Sequence, residues 1–218
     1  MTTDLIRLTY IDHLRQVYGL GVKDSENTIA AYDHYFNVME PGLSLARLIQ
    51  DVWERKPVVR IMDLGCGDAG MLRELLRKHV GKIDPHGVDQ VAPKVGKKGL
   101  QFHEGDALTV QFPSDCDLIV SFRAMHEIGA LHELIPKVAQ ALAIGGKAFL
   151  SIRIAEWEGE KLAFQGSITK QDLEWLRDVA DVGMLGTVVI TCASVTGQMP
   201  GRRDQTFVRG VNVFLERV

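Results

Sequence analysis

The sequence lacks the features that nucleic-acid binding or membrane anchoring would require. It has 25 Lys and Arg residues against 28 Asp and Glu residues, with a formal net charge of -3. A protein that binds a polyphosphate backbone needs a basic excess. The first residues contain an early aspartate and no continuous apolar run, so they predict neither a signal peptide nor a membrane-spanning helix. We therefore expect a cytoplasmic protein with a small-molecule partner and with no nucleic-acid or membrane partner.

Cysteine is also scarce. The three cysteines, Cys66, Cys116 and Cys192, are far apart and odd in number. Their positions predict neither a disulfide framework nor the paired spacing of a zinc site. The histidines, apart from His126 considered below, likewise lack a metal-binding spacing. No metal site is expected.

The sequence pattern changes at Pro57. Residues 1–56 carry helical periodicity and almost no strand signals, as in LSLARLIQDVWERK. Beyond Pro57, short apolar runs alternate with amphipathic segments, which is typical of crossover units around a mostly parallel sheet. We interpret residues 1–56 as a helical lid segment and residues 57–218 as the main domain. Strands are expected near 58–63, 83–88, 100–104, 117–121 and 146–153, with helices near 69–80, 130–143 and after Thr169.

The chain ends in two β-rich runs, TVVITCASVTG and TFVRGVNVFLERV. The loop between them is rich in turn-forming residues and too short for a crossover helix. The two runs are therefore predicted to be antiparallel neighbours.

A glycine loop follows the first predicted strand. VVRIMDLGCGDAG ends that strand with Asp63, and GCGDAG matches G-x-G-x-x-G between a strand and a helix. Asp89 ends the next strand about 20 residues further on, where a carboxylate can accept hydrogen bonds from both ribose hydroxyls. The alternative is a glycine turn that only packs strand against helix, with Asp89 as an ordinary turn residue. Together the two features favour a ribose-containing ligand across the strand ends.

Asp63 distinguishes between two classes of such ligand. A dinucleotide would place its pyrophosphate over the glycine loop, where a neighbouring carboxylate repels it. S-adenosylmethionine would place an ammonium and a sulfonium there, which a carboxylate attracts. A dinucleotide-dependent oxidoreductase is therefore the less favoured interpretation.

Five motifs in order resemble those of class I S-adenosylmethionine-dependent methyltransferases of the small-molecule type. They are DLGCG, Asp89, Gly105-Asp106-Ala107, CDLIVSFRAMHEI and LAIGGKAFLSI. The resemblance covers about residues 57–218. It implies an α/β fold with a doubly wound, mostly parallel seven-stranded sheet, a C-terminal antiparallel hairpin strand and an N-terminal helical lid.

The resemblance also implies residue roles. Asp63, Gly65, Cys66 and Gly67 would line the methionine end of S-adenosylmethionine, and Asp89 would hold the ribose. Contacts with the adenine would come from Gln90, Asp106 and Ala107, and contacts near the methyl group from Ser121 and Phe122. The short segment after Asp89 departs from the common pattern of the family on the adenine side.

SFRAMHEIG, after the fourth strand, is where we expect substrate chemistry. His126 is the candidate general base, because a histidine with an ordinary pKa of about 6.5 can accept a proton near neutral pH. The alternative is that His126 only starts a helix. Arg123 is a candidate substrate contact, although an ion pair with Glu127 would explain it equally.

Aromatic residues of the lid segment are candidate substrate contacts. They are Tyr18, Tyr32, Tyr35 and Phe36. Such rings can stack on a planar substrate or contact a sulfonium, but helical spacing is equally typical of core packing. The lid helices could also pack against a second subunit, so a homodimer is possible.

We therefore expect a methyltransferase that acts on an oxygen or nitrogen of a small molecule, for example an aromatic secondary metabolite. Two alternatives stay open. The protein could bind S-adenosylmethionine but catalyse a rearrangement or cyclisation, or it could be a catalytically silent scaffold of the same fold.

Overall fold

The computed structural model describes residues 28–39, 42–93, 98–122, 124–158, 161–164, 166–198 and 207–218. These residues fall into two compact units that divide between Gln111 and Phe112. Tyr18 and Arg123 lie outside the described residues, as does the side chain of Tyr35. The boundary expected at Pro57 stays a prediction.

The first unit begins with two helices, as the N-terminal periodicity predicts. They are α1 (Ile29–Met39) and α2 (Leu45–Trp53). Before α1, the Thr28 hydroxyl accepts a hydrogen bond from the Ala31 N–H. Thr28 therefore caps α1. Ser44 caps α2 in the same way. The buried face of α2 consists of Leu45, Leu48, Ile49 and Val52.

Three parallel strands follow, in the spatial order β3-β2-β1. They are β1 (Val59–Leu64), β2 (Ile83–Asp89) and β3 (Gln101–Glu104), with α3 (Gly70–Lys78) between β1 and β2. The register pairs Asp63 with Gly87 and Asp89 with Glu104. Parallel pairing places the carboxyl ends of the three strands along one edge. That edge carries the glycine loop and the two acids.

One face of these strands carries a polar network. Asp84 pairs with Arg60 at 2.7 Å and accepts from the Gln101 side-chain amide at 2.9 Å. His86 Nδ1 and His103 Nε2 lie 3.0 Å apart on neighbouring strands. Burial lowers the pKa of both imidazoles, so the pair is a neutral hydrogen bond near pH 7. No pattern in the sequence indicates this pairing.

The second unit begins with β4 (Cys116–Ser121) and the short helix α4 (Met125–Ile128). Helix α5 (Leu131–Ala141) leads into β5 (Leu142–Glu158), which runs parallel to β4. The predicted helix over 130–143 is therefore confirmed apart from its ends. Strand β5 is longer than expected, because extended backbone already starts at Leu142.

The remaining elements form the antiparallel end of the chain. They are β6 (Lys161–Phe164), α6 (Lys170–Val182), β7 (Met184–Leu185), β8 (Val188–Gln198) and β9 (Phe207–Arg217). Strand β9 pairs antiparallel with both β5 and β8, which confirms the predicted C-terminal reversed strands. The short β6 and β7 were not predicted, since neither is long enough to show a pattern.

The structure thus confirms an α/β fold with a parallel part and an antiparallel C-terminal part. In the described ranges, no helix combines the length and the apolar character needed to cross a lipid bilayer.

Candidate active site

Main-chain hydrogen bonds join the ends of the three parallel strands in the first unit. The Gly65 N–H donates to Val88 O at 2.8 Å, and the Gly105 N–H donates to Asp89 O at 2.9 Å. The Gly67 N–H donates to Asp89 Oδ2 at 2.8 Å. The structure therefore brings together the predicted cofactor residues that follow β1, β2 and β3.

The glycine loop needs its glycines for conformational reasons. Gly65 and Gly67 have φ angles of 76° and 57°, which glycine adopts without a steric penalty. Cys66 between them is fully buried, and burial raises the pKa of its thiol well above the ordinary value. Its Sγ lies where a Cβ on Gly87 would approach to 2.8 Å. Cys66 is therefore a neutral packing residue under the loop.

Asp63 is almost completely buried, with 1% exposure. Its Oδ2 accepts a hydrogen bond of 2.7 Å from the Tyr32 hydroxyl. Its Oδ1 is buried and has no hydrogen-bond partner among the described residues. Burial raises the pKa of Asp63 to about 7; the Tyr32 hydrogen bond opposes this, while nearby Asp89 and Asp68 add to it. An unpartnered buried carboxylate oxygen is costly unless a ligand completes it.

Asp89 stabilises the turn around it. Its Oδ1 accepts from the Gln90 N–H at 2.7 Å, while Oδ2 accepts from Gly67. Burial raises the pKa of Asp89, although these N–H donors and that of Val91 oppose the rise. A carboxylate has about four acceptor positions, so Asp89 keeps acceptor capacity for a ligand.

The adenine-side candidates lie on the neighbouring turns. Asp106 Oδ1 accepts from the Leu108 N–H at 3.0 Å, which shapes the turn after β3. Ala107 is buried. The Gln90 Oε1 atom is buried and has no hydrogen-bond partner among the described residues, so it is a second acceptor in this unit that a ligand donor could satisfy.

The second unit contains the residues after β4 that are candidates for contact with the methyl group and for proton transfer. Ser121 ends β4 and is fully buried, and Phe122 follows it with 6% exposure. His126 lies in α4 and is also buried, with its Nε2 3.5 Å from Glu127 Oε1. Burial raises the pKa of Glu127, and Arg153 opposes that rise.

A loop that the sequence did not single out packs on the His126 turn. The Ser167 N–H donates to the His126 carbonyl at 2.7 Å, and the Ser167 hydroxyl donates to the Glu127 carbonyl at 3.1 Å. A Cβ on Gly166 would lie 2.2 Å from the His126 carbonyl oxygen. No sequence signal marks this contact, because it joins residues 40 positions apart.

The described aromatic candidates of the lid segment are buried. Phe36 has no exposed surface and Tyr32 has 3%, in agreement with the core-packing alternative. Tyr32 nevertheless contacts Asp63 directly, so it lies beside a candidate cofactor residue of the first unit. The sequence gives no indication of this hydrogen bond.

The charges around the loop fit a cation better than a pyrophosphate. Asp63, Asp68 and Asp89 lie close enough for Asp68 and Asp89 to raise the pKa of Asp63. The Arg73 guanidinium is engaged by Asp68, with Nη2 2.6 Å from Oδ2. The unsatisfied Asp63 oxygen therefore lies near other carboxylates, in surroundings that would attract an ammonium and repel a phosphate.

Comparisons with known proteins agree with this geometry. Residues 34–185 match a family model described as a methyltransferase domain. No curated protein matches the sequence significantly.

Two solved structures are similar in fold. The Burkholderia thailandensis 1,6-didemethyltoxoflavin-N1-methyltransferase, solved with 1,6-didemethyltoxoflavin and S-adenosylhomocysteine, is 13% identical, with a TM-score of 0.51 over 100% of this chain and 91% of that one. The Haemonchus contortus phosphoethanolamine N-methyltransferase 2, solved with phosphomonomethylethanolamine and S-adenosylhomocysteine, is 14% identical, with a TM-score of 0.50 over 88% of this chain and 58% of that one.

Proposed function

Because the chain belongs to the methyltransferase-domain family, we propose that it transfers a methyl group from S-adenosylmethionine to an oxygen or nitrogen of a small-molecule acceptor. The observation that carries the cofactor assignment is the buried Oδ1 of Asp63, which has no partner among the described residues. An ammonium group satisfies it, whereas a phosphate does not.

The candidate cofactor residues of the first unit have separate roles in binding this ligand. Asp63 binds the ammonium of the methionine end, beside the backbone of Gly65, Cys66 and Gly67. Asp89 accepts from a ribose hydroxyl at its remaining acceptor position while it holds the glycine loop through Gly67. Contacts with the adenine come from Gln90, Asp106 and Ala107. When bound, the cofactor supplies a methyl group on a positively charged sulfur.

The acceptor chemistry belongs to residues after β4. Ser121 and Phe122, both buried, are proposed contacts near the transferable methyl group. His126 accepts the proton that a hydroxyl or protonated amine loses as it is methylated. Arg123 and the lid aromatics Tyr18 and Tyr35 are proposed contacts of the acceptor, whereas the fully buried Phe36 is assigned to core packing.

The acceptor is proposed to be a small, planar secondary metabolite in the cytoplasm. The charge balance of the chain disfavours a polyanionic acceptor. The two proteins of similar fold were each solved with a small molecule, which supports a small acceptor. A homodimer stays a prediction.

Calorimetric titration tests the cofactor assignment. We expect S-adenosylmethionine and S-adenosylhomocysteine to bind and NAD not to bind. Asp89→Ala removes the acceptor of a ribose hydrogen bond and of the Gly67 N–H, so Kd should rise by about 10- to 100-fold. Asp51→Ala, at an exposed aspartate of α2, is the matched control and should bind like wild type. Binding of NAD alone, or of nothing, would contradict the proposal.

Turnover with acceptor candidates tests the reaction itself. Formation of one S-adenosylhomocysteine per methylated product is expected, and a product without it would indicate a rearrangement or cyclisation. His126→Ala should lower kcat by about 10²- to 10⁴-fold if His126 is the general base. A loss within about twofold would remove His126 from that role.

A further inference from the structure

Tyr32 of α1 reaches across to the acid that ends β1. Its hydroxyl donates to Asp63 Oδ2 at 2.7 Å, and both side chains are buried, with 3% and 1% exposure. The two residues are 31 positions apart, and both lie in the first unit. A buried tyrosine hydroxyl needs a partner, but a neutral acceptor would serve that purpose without a carboxylate.

We propose that Tyr32 is a positioning residue for the ligand cation: its hydroxyl holds Asp63 Oδ2 and directs Oδ1 at the ammonium group. This inference rests on the proposed function, because the cation is the methionine end of S-adenosylmethionine. It assigns to the lid helix a part in cofactor binding, in addition to any contact with the acceptor.

The two oxygens of the Asp63 carboxylate have different surroundings. Oδ2 accepts from the Tyr32 hydroxyl, and Oδ1 is left without a partner among the described residues. A hydrogen bond to an ionised acceptor is stronger than one between neutral groups. The Tyr32 hydroxyl therefore favours the charged form of Asp63, which is the form that attracts an ammonium.

The surroundings of Asp63 otherwise disfavour its charged form. Burial, Asp89 at the end of β2 and Asp68 before α3 all raise the pKa of Asp63, and the neutral Cys66 thiol does not offset them. Tyr32 opposes them, and Asp63 titrates at about 7. Near neutral pH, part of the protein therefore carries a proton on Asp63 that must leave when the cation binds.

Tyr32→Phe keeps the ring and removes only the hydroxyl. Loss of one hydrogen bond to a charged group should raise the pKa of Asp63 by about one to two pH units. The number of protons released per ligand at pH 7 should then rise towards one. Because less of the protein is in the charged form, the apparent Kd at pH 7 should rise by about 5- to 50-fold.

The experiment is calorimetric titration of S-adenosylmethionine in buffers with different ionisation enthalpies, between pH 5.5 and 7.5. This range stays below the pKa of the ligand's own amino group, about 7.7–8.0. Asp63→Asn should abolish the proton release. Glu74→Gln is the matched control: Glu74 Oε2 accepts from the Ile29 N–H at 2.9 Å, so it weakens another attachment of α1 without contacting Asp63.

The outcomes separate the inference from the proposed function. Failure of wild type to bind S-adenosylmethionine would overturn both. The inference alone would be overturned if wild type binds S-adenosylmethionine but Tyr32→Phe shows the same proton release and the same loss of affinity at low pH as wild type. An equal shift of these two quantities in Glu74→Gln would also overturn it. If Tyr32→Phe does not fold, equal proton release by wild type and Asp63→Asn overturns the inference, because Asp63 is then not the titrating group.

Discussion

Replacing Gly166 by alanine should disturb the turn that carries His126 and lower the free energy of unfolding. Gly166 has a φ angle of +55°, and an added Cβ would meet the His126 carbonyl oxygen at 2.2 Å and its carbon at 2.9 Å. Both obstacles are backbone atoms, so no side-chain rotation relieves them. The loop must move, and the hydrogen bond of 2.7 Å from the Ser167 N–H to His126 O would weaken.

The magnitude has two parts. A left-handed backbone conformation costs alanine about 1–2 kcal/mol relative to glycine. Overpacking against the His126 carbonyl adds about 1–3 kcal/mol. We therefore expect Gly166→Ala to lower the free energy of unfolding by about 2–5 kcal/mol.

Gly186 provides a matched control in the same unit. It has a similar φ angle of +62°, but nothing lies within 4 Å of the position of its Cβ. Gly186→Ala should therefore cost only the conformational part, about 1–2 kcal/mol. Urea and thermal unfolding of the two variants isolate the steric part as their difference, about 1–3 kcal/mol or about 2–12 °C in Tm. Equal stabilities within about 0.5 kcal/mol would refute this account of the contact.

Two further predictions concern pH. Burial would raise the pKa of Asp172, but hydrogen bonds from Thr169, His132 and the Leu131 N–H outweigh it and hold the pKa below the ordinary value. Asp172 should therefore stabilise the fold above about pH 4, and this contribution should be lost as pH falls through the folded-state pKa; unfolding between pH 2.5 and 6 should show a shallower pH dependence in Asp172→Asn. The pH dependence expected from Asp63 has the opposite sign. Its pKa of about 7 in the folded protein lies above the ordinary value, so the free energy of unfolding should fall as pH rises from 4 to 8. Asp63→Asn should lack that slope, and an identical slope in both proteins would contradict the assignment.

The elements that could be predicted were those with a clear local sequence pattern. The apolar run that ends at Leu64 is a buried strand because its residues pack on both faces. Helix α6 begins where Thr169 and Asp172 form a capping box. The family match confirms the methyltransferase prediction, which rested on motifs in order along the chain. By contrast, β6 and β7 exist through pairing with neighbours, and four or two residues are too few to show a period.

The candidate site likewise has a part that could be predicted from the sequence and a part that could not. The positions of Asp63, the glycine loop and Asp89 followed from sequence, because each lies at the carboxyl end of a strand and parallel pairing gathers those ends on one edge. The partners of these residues did not follow from sequence. Tyr32 meets Asp63 and Gly166 meets the His126 carbonyl only after elements remote in the chain have packed. The sequence by itself thus determined the fold class and the placement of Asp63 and Asp89 at the carboxyl ends of parallel strands. Tertiary structure alone decided which groups hold Asp63 and His126 in place, because such contacts depend on how elements pack and not on the spacing of residues.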